Sequence, residues 1–406
     1  MARVPPSRAA FAFVFVTVAL DMLALGIMVP VLPKLVVQLE GGDVAAAARI
    51  TGVFGFAWAL MQLLFGPVLG ALSDRFGRRP VILLSNLGLG LDYVLMALAP
   101  NLAWLFVGRV VSGITAASFS TAGAYVADVT PPEGRAAKFG MLGAAFGLGF
   151  VVGPAVGGVL GEVDLRLPFW VAAGMSLLNA GYGLFVLPES LPEEKRAPFS
   201  LRIANPFGSM RLLRGHPELL GLAGATCLYY VAHDVLPSTF VLYTDFRYAW
   251  TERTVGLVLA AVGICSTIVS ATLVGPLVTR LGERNAILAG LSFAAASSVV
   301  YGLAPSTGPF LLGIPLGALG GLTSPAMQAR MSRRVGAAAQ GQLQGALSAV
   351  RGVTGMIGPI LFTQTFAAAI RPPAALPGAA FLLSAGLLAA SFAIAWRVTG
   401  EPDGAA

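Results

Sequence analysis

The chain alternates between long apolar stretches and short polar breaks, and most apolar stretches are about twenty residues long. An α-helix of about 20 apolar residues spans a hydrocarbon core of about 30 Å. The pattern predicts twelve spans, near 9–32, 50–72, 80–99, 102–127, 139–161, 168–187, 218–243, 254–278, 286–304, 307–328, 341–366 and 376–396. We therefore expect an all-α membrane protein with twelve transmembrane helices. They form two six-helix bundles, at 1–187 and 218–406, joined by a polar central loop at 188–217.

Composition supports a membrane location. Of the 406 residues, 56% are hydrophobic and 11% are charged, whereas soluble domains have about 45–50% apolar and about 25% charged residues. So few charges cannot cover the surface of a soluble protein of this length. A soluble enzyme, a secreted disulfide scaffold and a disordered chain are therefore excluded.

The net charge of +7 reflects where the basic residues lie. If the N-terminus is inside, the inner segments hold 18 of the 26 Lys and Arg residues and the outer segments hold six, Lys34 among them. Cytoplasmic loops carry an excess of Lys and Arg, so both termini and the central loop are predicted to be cytoplasmic. The first apolar run contains Asp21 and is too long for a cleaved signal peptide. Cys227 and Cys265 lie inside apolar segments and are interpreted as buried small side chains.

The strongest local signal is the segment 66–80, GPVLGALSDRFGRRP, at the predicted cytoplasmic end of the second span. Its glycines should let the helix pack closely and turn sharply. Its charges can form a network that holds one conformation and is released in another. We expect Asp74 to accept a hydrogen bond from a neighbouring helix end or from Arg135. A weaker copy at 275–284 follows the eighth span, which indicates two related halves.

These residues resemble the loop signature of the major facilitator superfamily, and two further stretches agree. The segment 108–113, with Arg109, resembles a motif in which a membrane-embedded arginine aids proton transfer. The segment 149–158 resembles the glycine-proline motif of antiporters. The stretches around Asp21, Asp92 and Asp128, together with 187–190, 205–206, 341–345 and 358–362, resemble the tetracycline–proton antiporter group.

The resemblance implies a proton-coupled exporter of a small amphipathic drug-like compound, with tetracycline as a candidate, in the bacterial inner membrane. It implies alternating access, a monomer, small-molecule and proton partners and a surrounding bilayer. No cofactor, metal, nucleic acid or enzymatic activity is expected. Two alternatives stay open: a symporter or facilitator for an endogenous metabolite, and a non-transporting sensor. The gating candidates are Gly70, Asp74, Arg75, Gly77, Arg78, Arg79, Asp128, Arg135, Gly153, Pro154 and Gly157, and the segment 149–158 is expected to bring the fifth and eighth spans together.

Two positions depart from the tetracycline exporters. Where that group has a histidine in the eighth span, this chain has Ser266, and where it has an aspartate in the ninth, this chain has Ala294. The seventh span instead carries His233 and Asp234.

The few ionisable residues inside spans are the candidates for proton coupling, because an isolated charge there is costly unless it faces a partner or a cavity. They are Asp21, Asp92, Arg109, His233 and Asp234. Each has a structural alternative: a hydrogen-bonded acid near a kink for Asp21, a polar network for Asp92, snorkelling for Arg109 and hydration near the outer leaflet for the His233-Asp234 pair. Arg351 is expected to have a partner, with Asp234 a candidate. The substrate-binding candidates are Asp21, Gln62, Asn86, Phe146, His233, Asp234, Ser266 and Gln328.

Overall fold

The computed structural model describes residues 8–116, 118–197, 217–336, 339–372 and 376–400. Within these ranges the chain forms α-helices, one short 3-10 helix at Glu193–Lys195, and no strand. The α-helices are α1 (Arg8–Met28), α2 (Leu32–Leu39), α3 (Val44–Phe76), α4 (Arg78–Leu98), α5 (Leu102–Thr115), α6 (Ser118–Val129), α7 (Pro132–Val163), α8 (Leu167–Val186), α9 (Pro217–His233), α10 (Val235–Tyr248), α11 (Glu252–Thr272), α12 (Val274–Leu303), α13 (Thr307–Leu311), α14 (Gly313–Gly320), α15 (Thr323–Arg333), α16 (Gln340–Ala369) and α17 (Ala379–Val398).

Eleven helical segments of the described chain are long and apolar enough to cross a membrane. The prediction of an all-helical membrane protein is therefore confirmed at this level. The predicted fourth span, 102–127, corresponds to the two shorter helices α5 and α6. The predicted central loop lies mostly outside the described residues, as do Arg3, Arg202, Arg211, Arg214 and the segment 205–206.

Two predicted boundaries differ because prolines interrupt the helices. The first span does not stop at Leu32: it breaks before Pro33, which lies in the first turn of α2, and continues to Leu39. Lys34, expected in an outer segment, is therefore a buried helical residue. The predicted eighth span breaks at Leu273, before the proline in the first turn of α12. Proline fits a first helical turn but cannot donate a backbone hydrogen bond within a helix.

The chain divides into two compact units. Unit 1 takes the described residues of 1–41, 57–205 and 251–260, and unit 2 takes those of 42–56, 206–250 and 261–406. Each unit thus includes a short segment from the other half of the sequence. In unit 1, α1 packs on α7 and α8, and α4 packs on α8 and α5. In unit 2, α12 packs on α17 and α14, while α9 packs on α17 and α16.

Candidate functional site

Asp21 lies in α1 and is 3% exposed. The side-chain amide of Asn179, on α8, donates to Asp21 Oδ1 at 3.0 Å and to the Thr17 carbonyl at 3.2 Å. The Asn179 NH₂ group donates both to the Asp21 carboxylate and to the backbone of α1, the helix that carries Asp21. These two hydrogen bonds fix the orientation of the carboxylate. This hydrogen bond joins α1 to α8 at Asp21, and the role of Asp21 in proton coupling stays a prediction.

Asp92, on α4, is also buried, and its surroundings differ from those of Asp21. Neither of its oxygens has a hydrogen-bond partner among the described residues, although Ser112 lies nearby. Arg109, on α5, lies within electrostatic reach of this carboxylate. The guanidinium lies 5.4 Å from the Trp58 ring centroid, an attractive cation–π geometry. A buried acid without donors beside a held cation has the surroundings that a proton-binding group requires.

Gly108 makes the approach of α5 to Asp92 possible, because a Cβ at this position would lie 2.8 Å from Asp92 Oδ1. The phenol of Tyr93 lies within electrostatic reach of both Asp92 and Asp21. One buried tyrosine thus lies close enough to both acids to interact with each of them electrostatically. Sequence reasoning did not assign Tyr93 or Asn179 to the site, since aromatic and amide residues inside spans usually serve packing.

The remaining substrate candidates of unit 1 lie in three different environments. Asn86 is buried on α4, and its side-chain oxygen has no hydrogen-bond partner among the described residues. Gln62 is half-buried on α3. Phe146, on α7, is 40% exposed and stacks on Phe150 with ring centroids 4.7 Å apart. Their roles as substrate-binding residues stay predictions.

The charges at the end of α3 form a network centred on Arg78. Its guanidinium pairs with Asp74, lies 3.1 Å from Asp128 on α6, and donates to the Ser73 hydroxyl at 2.7 Å. The expected partner Arg135 is wrong for Asp74: Arg135 instead donates to the Thr130 carbonyl at 3.2 Å. Arg78 is the nearer cation because it lies four residues beyond Asp74, directly after the turn at Gly77.

Glu189, which follows α8, binds the first turn of α4. Its carboxylate accepts from the Arg78 backbone N–H at 2.8 Å and the Arg79 N–H at 3.2 Å. Gly77 makes room for it, since a Cβ there would overlap the carboxylate, and its φ of 103° is one that L side chains rarely adopt. Of the arginines, Arg79 donates to the Leu184 carbonyl at 2.6 Å and Arg75 is exposed, lying over the Phe76 ring.

Close packing was expected at Gly66 and Gly70 and is wrong there, because nothing among the described residues lies within 4 Å of a Cβ at either position. Gly70 instead accepts a hydrogen bond at its carbonyl from the Ser73 hydroxyl at 2.7 Å.

The glycine-proline segment of α7 packs mainly on α1. A Cβ at Gly153 would lie 2.7 Å from Gly26 Cα, and one at Gly157 would overlap the Ile27 carbonyl. The segment also contacts α11, the first part of the predicted eighth span: the Pro154 carbonyl faces Gly256, and Gly158 faces the Glu252 carbonyl and Gly256. The expectation that the whole segment joins the fifth and eighth spans is therefore correct only for part of it.

The same end of α7 adjoins a buried ion pair. Lys34 Nζ, on α2, lies 3.1 Å from Glu252 Oε1, at the start of α11, and the two side chains are 9% and 20% exposed. Glu252 packs beside Gly161, and both partners belong to unit 1. Sequence reasoning did not find this ion pair, because the two residues lie in different halves of the chain.

Comparison with known proteins identifies the family. A family model described as the Major Facilitator Superfamily matches residues 14–359 and 248–405. The chain belongs to the Major Facilitator Superfamily. It is 42% identical to the class C tetracycline resistance protein of Escherichia coli, over 87% of this chain and 88% of that protein. It is 36% identical to the class B tetracycline resistance protein of Escherichia coli, over 86% of each chain.

Solved structures agree on the fold. The crystal structure of the nucleoside transporter NupG superposes with a TM-score of 0.80 at 12% identity, covering 97% of this chain and all of that one. The superfamily consists of transporters, so the protein is a multi-pass membrane transporter and not an enzyme.

In unit 2 of this superfamily member, a break between α9 and α10 exposes the His233-Asp234 pair. The Asp234 N–H donates to the carbonyls of Tyr230 and Val231 at 3.2 and 3.1 Å. His233 is exposed, and its ring centroid lies 6.0 Å from that of Tyr229. The Asp234 side chain packs against Gly358 on α16, where a Cβ would overlap it. The two side chains therefore contact different partners, as expected for adjacent helical residues.

The other candidates of unit 2 are distributed over four helices. Ser266 on α11 and Ala294 on α12 are both half-buried. Gln328, on α15, donates to Gln344 Oε1 at 3.0 Å. Arg351, on α16, lies 5.4 Å from the Tyr230 ring centroid. Asp234, the candidate partner, lies within electrostatic reach of Arg351, but no acid of the described chain forms an ion pair with Arg351 within 4.0 Å.

Proposed function

We propose that this protein exports a small amphipathic drug-like compound, tetracycline among the candidates, in exchange for protons. The observation that carries the proposal is the pair of buried carboxylates Asp21 and Asp92 inside membrane-spanning helices, with Arg109 beside the second. The relatives are named for tetracycline resistance, which supports a drug as the substrate.

Protons enter from outside and bind the carboxylates in turn. A protonated acid is neutral, so its attraction to Arg109 is lost, and this change favours one facing of an alternating-access cycle. Substrate binding favours the other facing, and the proton is released inside. The His233-Asp234 pair supplies a second proton- or substrate-binding position at the helix break.

The proposed architecture has twelve spans, with α5 and α6 together forming the fourth. Two six-helix bundles, at 1–187 and 218–406, are joined by the cytoplasmic loop 188–217. Both termini are cytoplasmic, and the protein acts as a monomer in the bacterial inner membrane. The network of Asp74, Arg78, Asp128 and Glu189 latches the cytoplasmic side.

The test uses purified protein in proteoliposomes with an imposed proton gradient. Wild type is expected to drive tetracycline against its gradient and to move protons when tetracycline is added. Asp21→Asn keeps the shape of the side chain and its place beside Asn179 but cannot exchange a proton, so we expect drug-dependent proton movement to be lost. Asp164→Asn, an exposed acid between α7 and α8, is the matched control and should behave as wild type. Undiminished exchange by Asp21→Asn would exclude Asp21 as the proton carrier.

A second candidate is a symporter or facilitator for an endogenous metabolite. It is favoured by Ser266 and Ala294, which stand where the tetracycline exporters carry ionisable residues. Expression in an efflux-deficient host separates the two, because only an exporter protects the cells against compounds of a drug panel.

A further inference from the structure

Unit 2 carries a set of polar side chains on three neighbouring helices, which we call the Arg351 patch. It consists of Tyr230, Ser324, Gln328, Gln344 and Arg351. The Tyr230 hydroxyl lies 3.4 Å from Ser324 Oγ, Gln328 donates to Gln344 at 3.0 Å, and the Arg351 guanidinium lies over the Tyr230 ring. Contacts thus join α9 to α15, α15 to α16, and α16 back to α9.

Most polar side chains of the patch are exposed, and this limits which surroundings the patch can have in a membrane. Gln328, Gln344 and Arg351 are exposed, whereas Leu343, Leu347 and Val350, on the adjoining face of α16, are buried. Gln344 and Arg351 are seven residues apart, which places them on one face of the helix. Amide and guanidinium groups in a membrane span are costly against lipid and occur where a helix lines a water-filled cavity. We therefore infer that the Arg351 patch faces water or a ligand rather than lipid.

The patch carries one charged side chain, the cation Arg351. Among the described residues, Arg351 forms no ion pair within 4.0 Å, and its guanidinium lies over the face of an aromatic ring. Asp234, the acid of the neighbouring helix break, lies within electrostatic reach of Arg351 and packs against Gly358. A guanidinium retains all its forked donors when it lies over a ring, so it stays able to bind a second group in its own plane.

We propose that Arg351 and Tyr230 form a subsite for an aromatic anion or zwitterion. Arg351 binds the ionised acidic group of the substrate, Tyr230 packs on the adjoining ring, and Gln328, Gln344 and Ser324 hydrogen-bond its polar substituents. This inference rests on the proposed function and defines its substrate class. A purely cationic compound would meet the Arg351 charge at this patch, so we expect it to bind less well than an aromatic anion or zwitterion.

The experiment measures direct binding to purified protein in nanodiscs with three fluorescent probes. Tetracycline carries an ionised acidic enol and an ammonium group, fluorescein is an aromatic anion, and ethidium is an aromatic cation without an acidic group. We expect Arg351→Gln to weaken tetracycline and fluorescein binding at least tenfold and to leave any ethidium binding unchanged or tighter. Arg351→Lys keeps the charge but loses the planar fork, so its binding should be intermediate. Arg371→Gln, which removes the same charge just beyond α16, is the matched control and should bind all three probes as wild type does.

The outcomes keep this inference apart from the proposed function. Binding of tetracycline and fluorescein within twofold of wild type by Arg351→Gln would overturn the subsite, even if tetracycline is exported. Equal loss of all three probes would also overturn it, because it would show a structural role; thermal unfolding of each variant checks this independently. If wild type binds fluorescein in an Arg351-dependent way but not tetracycline, the subsite stands and tetracycline export fails. Binding of neither anion by wild type overturns the subsite.

Discussion

Asp21 and Asp92 are alike in burial and unlike in their hydrogen bonds. Asp21 accepts from a side-chain amide, whereas Asp92 has no donor among the described residues and depends on the nearby Arg109. A carboxylate in a span costs about 2.5–3.5 kcal/mol on insertion scales. Retaining two of them in different surroundings is consistent with two steps of one proton pathway, because protonation of one changes the field at the other.

Glu189 offers a residue-scale test of the charge network around Arg78. Its carboxylate satisfies two backbone N–H groups at the start of α4, where an anion also interacts favourably with the helix dipole. Glu189→Gln keeps the length of the side chain but removes the charge, so we expect a loss of about 1 kcal/mol in stability. Thermal unfolding in detergent would show this as a lower midpoint. Glu194→Gln, an exposed acid five residues further on, should leave the midpoint unchanged; equal shifts in both variants would contradict the capping role.

Candidate charges could be found from sequence because ionisable residues are rare in spans, and this located Asp21, Asp92, Arg109, His233 and Asp234. Their partners could not be found in the same way. Asn179 lies far from Asp21 along the chain, and an asparagine in a span has no distinctive pattern. Asp74 pairs with Arg78 and not with Arg135 because of the local chain geometry at Gly77, which the residue types alone do not reveal. The partners of a buried charge depend on how the helices pack, whereas the candidate charges themselves can be recognised from the residue types in each span.

At the scale of the helices, glycine determines which elements approach closely. Along α7, Gly149, Gly153 and Gly157 recur every four residues and present one face to α1, where Gly26 meets the first two and Ile27 meets the third. Without side chains, the two backbones pack directly, as small residues allow in membranes. The sequence predicted a close approach to the eighth span, which holds only near Pro154 and Gly158, and it did not predict the longer contact with α1, since a stripe of glycines does not indicate which helix packs against it.

Two substitutions on α7 test this seam. In Gly153→Ala the new methyl group meets the Gly26 backbone, which cannot move aside as a side chain could, so we expect destabilisation of about 1–3 kcal/mol. Gly143→Ala, on the same helix, has open space around its Cβ and should be neutral or stabilising by up to about 1 kcal/mol through higher helix propensity. Thermal unfolding compares the two. A Gly153→Ala variant as stable as Gly143→Ala would show that α1 and α7 do not pack this closely.

The positions of the membrane helices could be predicted from the sequence, but the breaks within them could not. Apolar runs of about twenty residues located the spans, yet the breaks at 29–31, at Asp234 and at Leu273 came from the structure. Prolines near each break bias the backbone, but proline also lies inside continuous helices at Pro67, Pro154 and Pro359. Whether a proline breaks a helix depends on what satisfies the freed carbonyl, which is a property of the neighbouring elements.

At the scale of the whole molecule, the two compact units do not coincide with the two halves of the sequence. Residues 42–56 cluster with unit 2, and residues 251–260 cluster with unit 1. Both segments begin long helices that the charge distribution places at the outer face. In the proposed alternating-access cycle, we expect the contacts of residues 251–260 within unit 1 to change when the outer face opens, and we propose these contacts as an outer gate.

The Lys34–Glu252 ion pair joins residues 251–260 to the N-terminal part of unit 1. Exchanging the two charges tests its role. Glu252→Gln removes the attraction and should favour opening, whereas Lys34→Glu combined with Glu252→Lys restores a pair and should favour closure. The measurement is labelling of Val31→Cys by a membrane-impermeant maleimide, with Cys227 and Cys265 replaced by serine; Val31 is fully buried beside Gly161. We expect labelling several-fold faster in Glu252→Gln and near the original rate in the swap. Glu162→Gln, an exposed acid at the same end of α7, should not change the rate. Breaking a buried ion pair by removing one partner costs about 3–5 kcal/mol, so it must alter any opening equilibrium that depends on the pair. Equal labelling rates with and without the Lys34–Glu252 pair would therefore show that the pair does not hold the outer gate closed.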